Sequence, residues 1–369
     1  MARPSKWKDK LTDEILFEAI SLLSHGIRPE EVAKQLREKL GESFNRGHVV
    51  PLIKTANDRG FLLLIPPHAA EIARTIEKRF GLEAESVHVV EVRGGAAVEH
   101  LAAATANLVM RFIDPKPPLP RKARVHLGLG SGRTTHLVCS RLGAVLRDNP
   151  TRPELTIHGL TSGWDPGTSI ESPVSHFSHF FFDQPKPAVT FMGLSVPPLI
   201  PSDSFDEIVR LPLVQEAFTE RHKLDIIITS IGSEKDRHCT FKKAIDSHRI
   251  ANDYGNVKKQ LELEGWVGDV QFLPYSDTQA LQMKHLRSGV LVGFHELADM
   301  ARTKGKEVIL VAGPCGLCGE LKTDALLPLL KHEHMRVFSR LVVDVGTAEA
   351  LLTESGGGAP VAAPTIPPR

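Results

Sequence analysis

Six short apolar runs, RVHLGLG, ELTIHGL, AVTFMGL, LDIIITSIG, VILVAG and RLVVDV, recur between residues 124 and 345 of this 369-residue chain. Segments with helical apolar spacing separate several of them, TTHLVCSRLGAVL among them, and TAEALL follows the last. A strand that is apolar along its whole length must be covered on both faces. Parallel strands joined by crossover helices meet that demand. The alternation therefore predicts an α/β domain around a mostly parallel, doubly wound, Rossmann-like sheet. AVEHLAAATANLVMRFI reads as a helix entering this domain from residue 94 onward.

The first 65 residues follow a different rule. Thr12–His25 is a helix capped by Thr12, and Gly26 stops it. Pro29 opens a second helix, PEEVAKQLREKL, closed by Gly41. A third spans His48–Arg59, with Val49, Leu52, Ile53 and Ala56 on one face and Gly60 beyond it. FLLLIPP then reads as a short strand. Three short helices and a strand predict an all-α helix-turn-helix module with a small wing. Residues 1–10 hold Arg3, Lys6, Lys8 and Lys10 against Asp9 alone and read as an arm. The expected division is 1–65 arm and helix-turn-helix, 66–92 linker helix and strand, 93–353 sheet domain, and 354–369 a Gly/Ala/Pro-rich disordered tail.

Charge limits the function classes. With 45 Lys and Arg against 44 Asp and Glu, the chain is not basic enough to coat nucleic acid or anionic lipid over its whole surface. No run approaches the roughly 18 apolar residues that span a bilayer. The amphipathic LTDEILFEAI after the first ten residues is not a signal core. Four cysteines in a chain of this length point to a reducing compartment, so a cytoplasmic protein without a membrane partner is expected.

The loop Gly128-Leu129-Gly130-Ser131-Gly132-Arg133-Thr134-Thr135 joins an apolar strand to a helix. Glycines bring backbone N–H groups close to an anion, and the helix N-terminus adds its dipole. Ser131, Thr134 and Thr135 add hydroxyls, and Arg133 adds a charged fork. The loop lacks the Gly-Lys-Ser/Thr of a P-loop. Its GxGxG spacing is not GxGxxG, and no acid ends the next strand to hold a ribose. A phosphate on a small molecule fits it better than a dinucleotide. A tight strand-to-helix turn with Thr as cap is the alternative.

Other strand ends should converge on this loop in a doubly wound sheet. They supply Ser230, Gly232 and Ser233 at the end of LDIIITSIG, Gly268 and Asp269 in a Gly-rich turn at 265–269, and Gly313 followed by Lys322. Cys315 and Cys318 form one CxxC, for which His332 and His334 are conceivable further ligands. A single pair reads as turn cysteines beside the ligand loop, and no metal or cofactor is assigned. His176 and His179 of SHFSHFFF read as part of a helix packing Phe177, Phe180 and Phe181, without a ligand role.

The order of these features resembles the SorC/DeoR-like family of bacterial sugar-responsive transcription regulators. The similarity runs from about residue 12 to 352, through LIKTANDRGFLLL, IEKRFGLEAESVHVV, GLGSGRTT, DIIITSIGS, EGWVGDV, VILVAG with Lys322 and Ala325, and VVDVGTAEALL. The resemblance implies an N-terminal helix-turn-helix and an effector domain related to sugar-phosphate isomerases and glucosamine-phosphate deaminases. The chain departs from the family in five places. Ser131 replaces a bulky residue, Val343-Asp344-Val345 replaces Thr-Asp-Glu, extra residues with the CxxC precede Lys322, Pro51 stands in the third helix, and the stretch between the second helix and Val49 is longer than the family norm. Proline in a helix interior costs roughly 3 kcal/mol, so that helix is expected to start close to Pro51 or to kink.

Residues 1–60 contain 11 Lys and Arg against 9 Asp and Glu. DNA recognition would then rest on placed side chains, for which Asn45, Arg46, His48 and Lys54 are the candidates, together with the arm. The reading that follows is a homo-oligomeric, non-enzymatic regulator of a DNA operator with a phosphorylated sugar as effector. Three alternatives stay open: an isomerase or deaminase working through Asp269 and Asp344, a metabolite-binding protein whose helical module no longer binds DNA, and a metal or redox sensor using Cys315 and Cys318.

Overall fold

The computed structural model describes residues 7, 10–41, 43–58, 67–94, 97–115, 122–147, 149, 151–161, 172–182, 187–246 and 257–354. Internal contacts divide the chain into two compact units, residues 1–65 with 143–150, and residues 66–142 with 151–369.

In the smaller unit, α1 (Asp13–Ser24) starts where Thr12 Oγ1 accepts from Ile15 N at 3.3 Å. Pro29 opens α2 (Pro29–Leu40), and α3 spans Arg46–Asp58. The apolar faces of the three helices close on one core. Leu16, Ala19, Val32, Leu36, Val49, Leu52 and Ala56 are fully buried there. Burying a residue the size of leucine contributes about 1.5–3 kcal/mol, which explains how so small a module holds together. Trp7 joins this core and meets Phe44 edge-on at 5.4 Å. The segment expected as a free arm is therefore anchored at Trp7.

Pro51 neither starts α3 nor stops it. It sits in the second turn, where the one backbone bond forfeited is that to the carbonyl of Gly47. The FLLLIPP strand with its wing, the arm other than Trp7 and Lys10, and the tail from residue 355 lie outside the described residues.

The larger unit opens with α4 (Ala70–Phe80), β1 (Val87–Val90) and α5 (Ala97–Ile113). It continues with β2 (Arg124–Leu129), α6 (Arg133–Arg147, of which residues 143–147 group with the smaller unit), β3 (Glu154–Gly159), β4 (Val189–Met192), β5 (Leu199–Pro201) and β6 (Ile226–Ser233). β7 (Trp266–Val270), β8 (Leu273–Ser276), β9 (Leu286–Ser288), β10 (Glu307–Ala312) and β11 (Arg340–Asp344) complete the strands. Seven strands form a parallel sheet in the order β1-β11-β10-β6-β2-β3-β4. Their residues are buried on both faces, Ile226–Ile228 and Val308–Ala312 among them, as the continuous apolar runs demand.

Two segments take other roles than their sequence suggested. Residues 66–92 belong to the sheet unit rather than acting only as a connector. β1 is the sheet's edge, in register with β11 from Val87↔Leu341 to Val90↔Asp344, and Glu77 of α4 accepts Val87 N at 3.0 Å. The stretch expected as a Gly-rich turn is β7, which runs antiparallel to the end of β6 and forms a hairpin with β8. Of the aromatic run, Phe177 and Phe180 are buried, whereas Phe181 is mostly exposed.

From β2 the chain winds outward through β3 to β4. It then returns past β2 to β6 and winds the other way through β10 to β11. The connections leaving the carboxyl ends of β2 and β6 diverge, and a crevice must open between them.

Candidate effector-binding cleft

The crevice is a solvent-open cleft with a cavity volume of about 80 Å³. Its first wall is the turn from β2 into α6. Gly130 N donates to Ile228 O at 2.9 Å and holds the end of β2 against β6. Gly132 turns the chain with φ +116°, and a Cβ there would stand 2.6 Å from Ser230 Oγ, so only glycine fits. His136 N closes onto Gly132 O at 3.0 Å. The amides of Arg133, Thr134 and Thr135 are thus the open donors of the helix's first turn. Arg133 is exposed beside them, and Thr134 is half-buried. Thr135 is fully buried; its hydroxyl donates to Ser131 O at 3.3 Å and braces the turn.

The opposite wall comes from β6, the β7–β8 hairpin and the loop after β10. Gly232 lies directly against the Asp269 carboxylate, in a space that any side chain would fill. Asp269 Oδ1 accepts from Cys239 Sγ at 3.2 Å and Oδ2 accepts from Phe272 N at 3.1 Å. Burial pushes its carboxyl up to about 6, against the downward pull of those two bonds and of Lys322. Lys322 Nζ donates to Ile231 O at 2.8 Å and keeps a small exposed fraction in the cleft.

Gln271 and Phe272 are the two-residue connection of the hairpin. Both have positive φ, 54° and 63°, the signature of a type I′ turn, which ordinarily takes Asn-Gly. A bulky residue in that region is strained by about 1–3 kcal/mol. Gln271 lines the cleft, is 3% exposed, and neither its amide oxygen nor its amide nitrogen has a partner. A buried polar group without a partner is expensive, and a ligand in the cleft would supply one.

Of the twelve residues expected to bind an effector, Ser131, Gly132, Arg133, Thr134, Gly232, Asp269 and Lys322 line this one cleft. The other five support it. Gly130 and Thr135 shape the turn, Gly268 packs against Ala325 and Gly313 against Leu101. Ser233 is buried and accepts from Lys235 N. Ser230, at the strand end expected to converge here, lines the cleft as well; sequence reasoning missed Asp236, His238, Cys239 and Gln271, which also line it. For Gln271 the signal was the pairing of WVGDV with LPYS across two residues.

Cys315 lines the cleft, with Cys318 three residues on. His332 and His334 do not join them. Their rings face each other at 5.7 Å, and His334 Nε2 bonds Thr278 O at 2.9 Å. Asp344 is also absent from the cleft lining. Its carboxylate caps the helix Val345–Glu354, accepting from Gly346 N at 3.0 Å and from Thr347 Oγ1 at 2.5 Å. The isomerase or deaminase reading thereby loses Asp344, although Asp236 and His238 line the cleft together with Asp269.

The DNA candidates lie on the smaller unit. Asn45 caps α3, accepting from Gly47 N at 2.9 Å and donating from its own N to His48 Nδ1 at 3.0 Å. His48 stacks on Phe44 and leans on Trp7, each at 5.5 Å. These two residues build the helix start. Arg46 and Lys54 are exposed, as is Val50 between them; Arg46 pairs with Glu30 at 2.8 Å. No helix among the described residues is long and apolar enough to cross a membrane.

No family model matches the sequence, and no curated protein matches it. Solved structures do. The full-length sorbitol operon regulator SorC from Klebsiella pneumoniae matches with a TM-score of 0.58 at 16% identity, over 93% of this chain and 99% of that one. A DeoR family transcriptional regulator from Listeria monocytogenes matches with 0.54 at 16% identity, over 76% of this chain and 98% of that one. A transcriptional regulator from Streptococcus pneumoniae gives 0.55 at 15%, over 77% and 96%. The chain has the fold of the SorC/DeoR-type transcriptional regulators.

Proposed function

We propose that the chain is a DNA-binding transcription regulator whose larger unit takes a phosphorylated sugar, or a related anionic metabolite, as its effector. The observation that carries this reading is the anion cradle at the switch point: the open amides of the first turn of α6, Arg133 beside them, and Lys322 across the cleft. The unpartnered Gln271 amide suits the hydroxyls of a sugar. Effector binding shifts the population between two states of a cytoplasmic homo-oligomer that place its DNA-reading helices differently. Arg46, Val50 and Lys54 form the reading face of α3, while Asn45 and His48 hold that helix in place.

A thermal-shift panel of sugar phosphates against their unphosphorylated partners tests the effector. Phosphorylated compounds should raise the midpoint and the free sugars should not. Arg133→Ala should weaken the response about tenfold or more, because a charge-assisted hydrogen bond contributes about 1.5–3 kcal/mol. An equal response to both classes of compound, or one untouched by Arg133→Ala, would sink the reading.

A further inference from the structure

β6 and β10 are parallel neighbours in register from Ile226↔Glu307 to Ser230↔Val311, so the loops beyond their carboxyl ends emerge side by side. The first loop carries Asp236-Arg237-His238, and the second carries Cys315-Gly316-Leu317-Cys318. Their donor atoms converge. Cys315 Sγ is 3.6 Å from His238 Nδ1, Cys318 Sγ is 3.7 Å from Asp236 Oδ1, and His238 Nδ1 is 3.7 Å from the same Oδ1. All four donor atoms lie within 4.8 Å of one another.

Metal–ligand bonds of about 2.0–2.3 Å in a tetrahedron hold neighbouring ligands about 3.3–3.8 Å apart. The three measured edges have that length. We propose that Asp236, His238, Cys315 and Cys318 form a tetrahedral zinc site. Two thiolates, one imidazole and one carboxylate are ligands that select zinc among the common divalent ions.

The surroundings fit this role. Asp236 Oδ1 accepts from His238 N at 2.8 Å, which sets the Asp-x-His pair in a turn with both side chains on one side. Cys315 N donates to Glu320 O and Gly319 N donates to Cys315 O, each at 2.8 Å. Gly319 takes φ +76°, and the second loop closes into a knuckle around the two sulfurs. Asp236 is 3% exposed, and the cation nearest its carboxylate, Lys322, stands 3.9 Å away with its short bond given to Ile231 O. Such a buried carboxylate calls for a closer positive partner. Cys318 is exposed and leaves a path by which the ion enters. Asp236, His238 and Cys315 also line the effector cleft, so a bound ion fixes the cleft wall next to Lys322.

The test uses the full-length chain purified under reducing conditions, with its metal content measured by mass spectrometry. The chelator-stripped protein is then titrated with zinc and with Co²⁺. One equivalent of zinc per chain is expected. Co²⁺ should give the intense visible bands of a tetrahedral centre together with thiolate-to-metal charge transfer. Cys318→Ser and His238→Ala should each weaken uptake at least tenfold with an unchanged far-ultraviolet spectrum, and His332→Ala should not. The assignment is overturned if the reduced chain takes up neither ion, if Co²⁺ is octahedral without charge transfer, if Cys318→Ser binds as tightly as the parent, or if the native chain carries a Cys315–Cys318 disulfide and no metal. None of these readouts involves a sugar phosphate or DNA, so a failure here is separable from a failure of the regulator reading.

Discussion

Asp269 shows how one buried carboxyl can report on the cleft. Its pKa is pushed up from 3.8 to about 6, chiefly by burial. The folded chain therefore keeps a proton that the unfolded chain has already lost between those two values. Stability contributed by this residue is full below about pH 4 and declines as pH rises to about 6, by on the order of 2–3 kcal/mol. Asp269→Asn keeps the shape and removes the ionisation. Denaturant titrations from pH 4 to 7 should show the parent losing stability relative to Asp269→Asn across that window; parallel curves would refute the assignment. The same proton bears on binding. A cleft that admits a phosphate should hold it more tightly where Asp269 is neutral, because a like charge beside the anion is then absent.

At the scale of elements, the hairpin of β7 and β8 is where stability and binding pull apart. Gln271 sits in the left-handed region with an unpartnered buried amide, a costly combination that a ligand in the cleft would offset. Gln271→Gly relieves the backbone and should leave stability unchanged or raise it by about 1 kcal/mol. It should also weaken the response to phosphorylated sugars. A variant that is less stable yet binds normally would show that Gln271 serves only packing.

The hairpin also marks a limit of reading elements from sequence. The parallel strands were legible because a strand buried on both faces must be apolar throughout, and VILVAG or LDIIITSIG has no other use. WVGDV, with a glycine before it and a glycine and an acid inside it, carries turn chemistry and no long apolar run, so its place beside β6 was not legible. The same holds for Pro51. Local propensity puts it at a helix start, whereas the packing of Val49 and Leu52 into the three-helix core carries α3 through it. The turn from β2 into α6 was legible because few chemistries require Gly-x-Gly before a helix. Asp236 and His238 were not, because their meeting with the cysteines depends on β6 and β10 being neighbours in the sheet.

For the whole molecule, charge sets the terms of DNA binding. The net charge is +1, and the first 60 residues hold only two more basic than acidic side chains. On the proposed reading, recognition would rest on a few placed residues and on the avidity of paired helices, with modest salt dependence compared with a uniformly basic protein. On the proposed reading, the cleft and the helices of the smaller unit are coupled through one population shift. Fluorescence anisotropy of the full-length chain on its own upstream DNA, with and without the sugar phosphate that gives the largest thermal shift, tests this most directly. Sequence-dependent, salt-sensitive binding is expected, with the effector changing its affinity by about 5–150-fold and Arg133→Ala abolishing that change. Sequence-dependent binding that ignores every stabilising sugar phosphate, or steady turnover of the compound without any DNA binding, would contradict it.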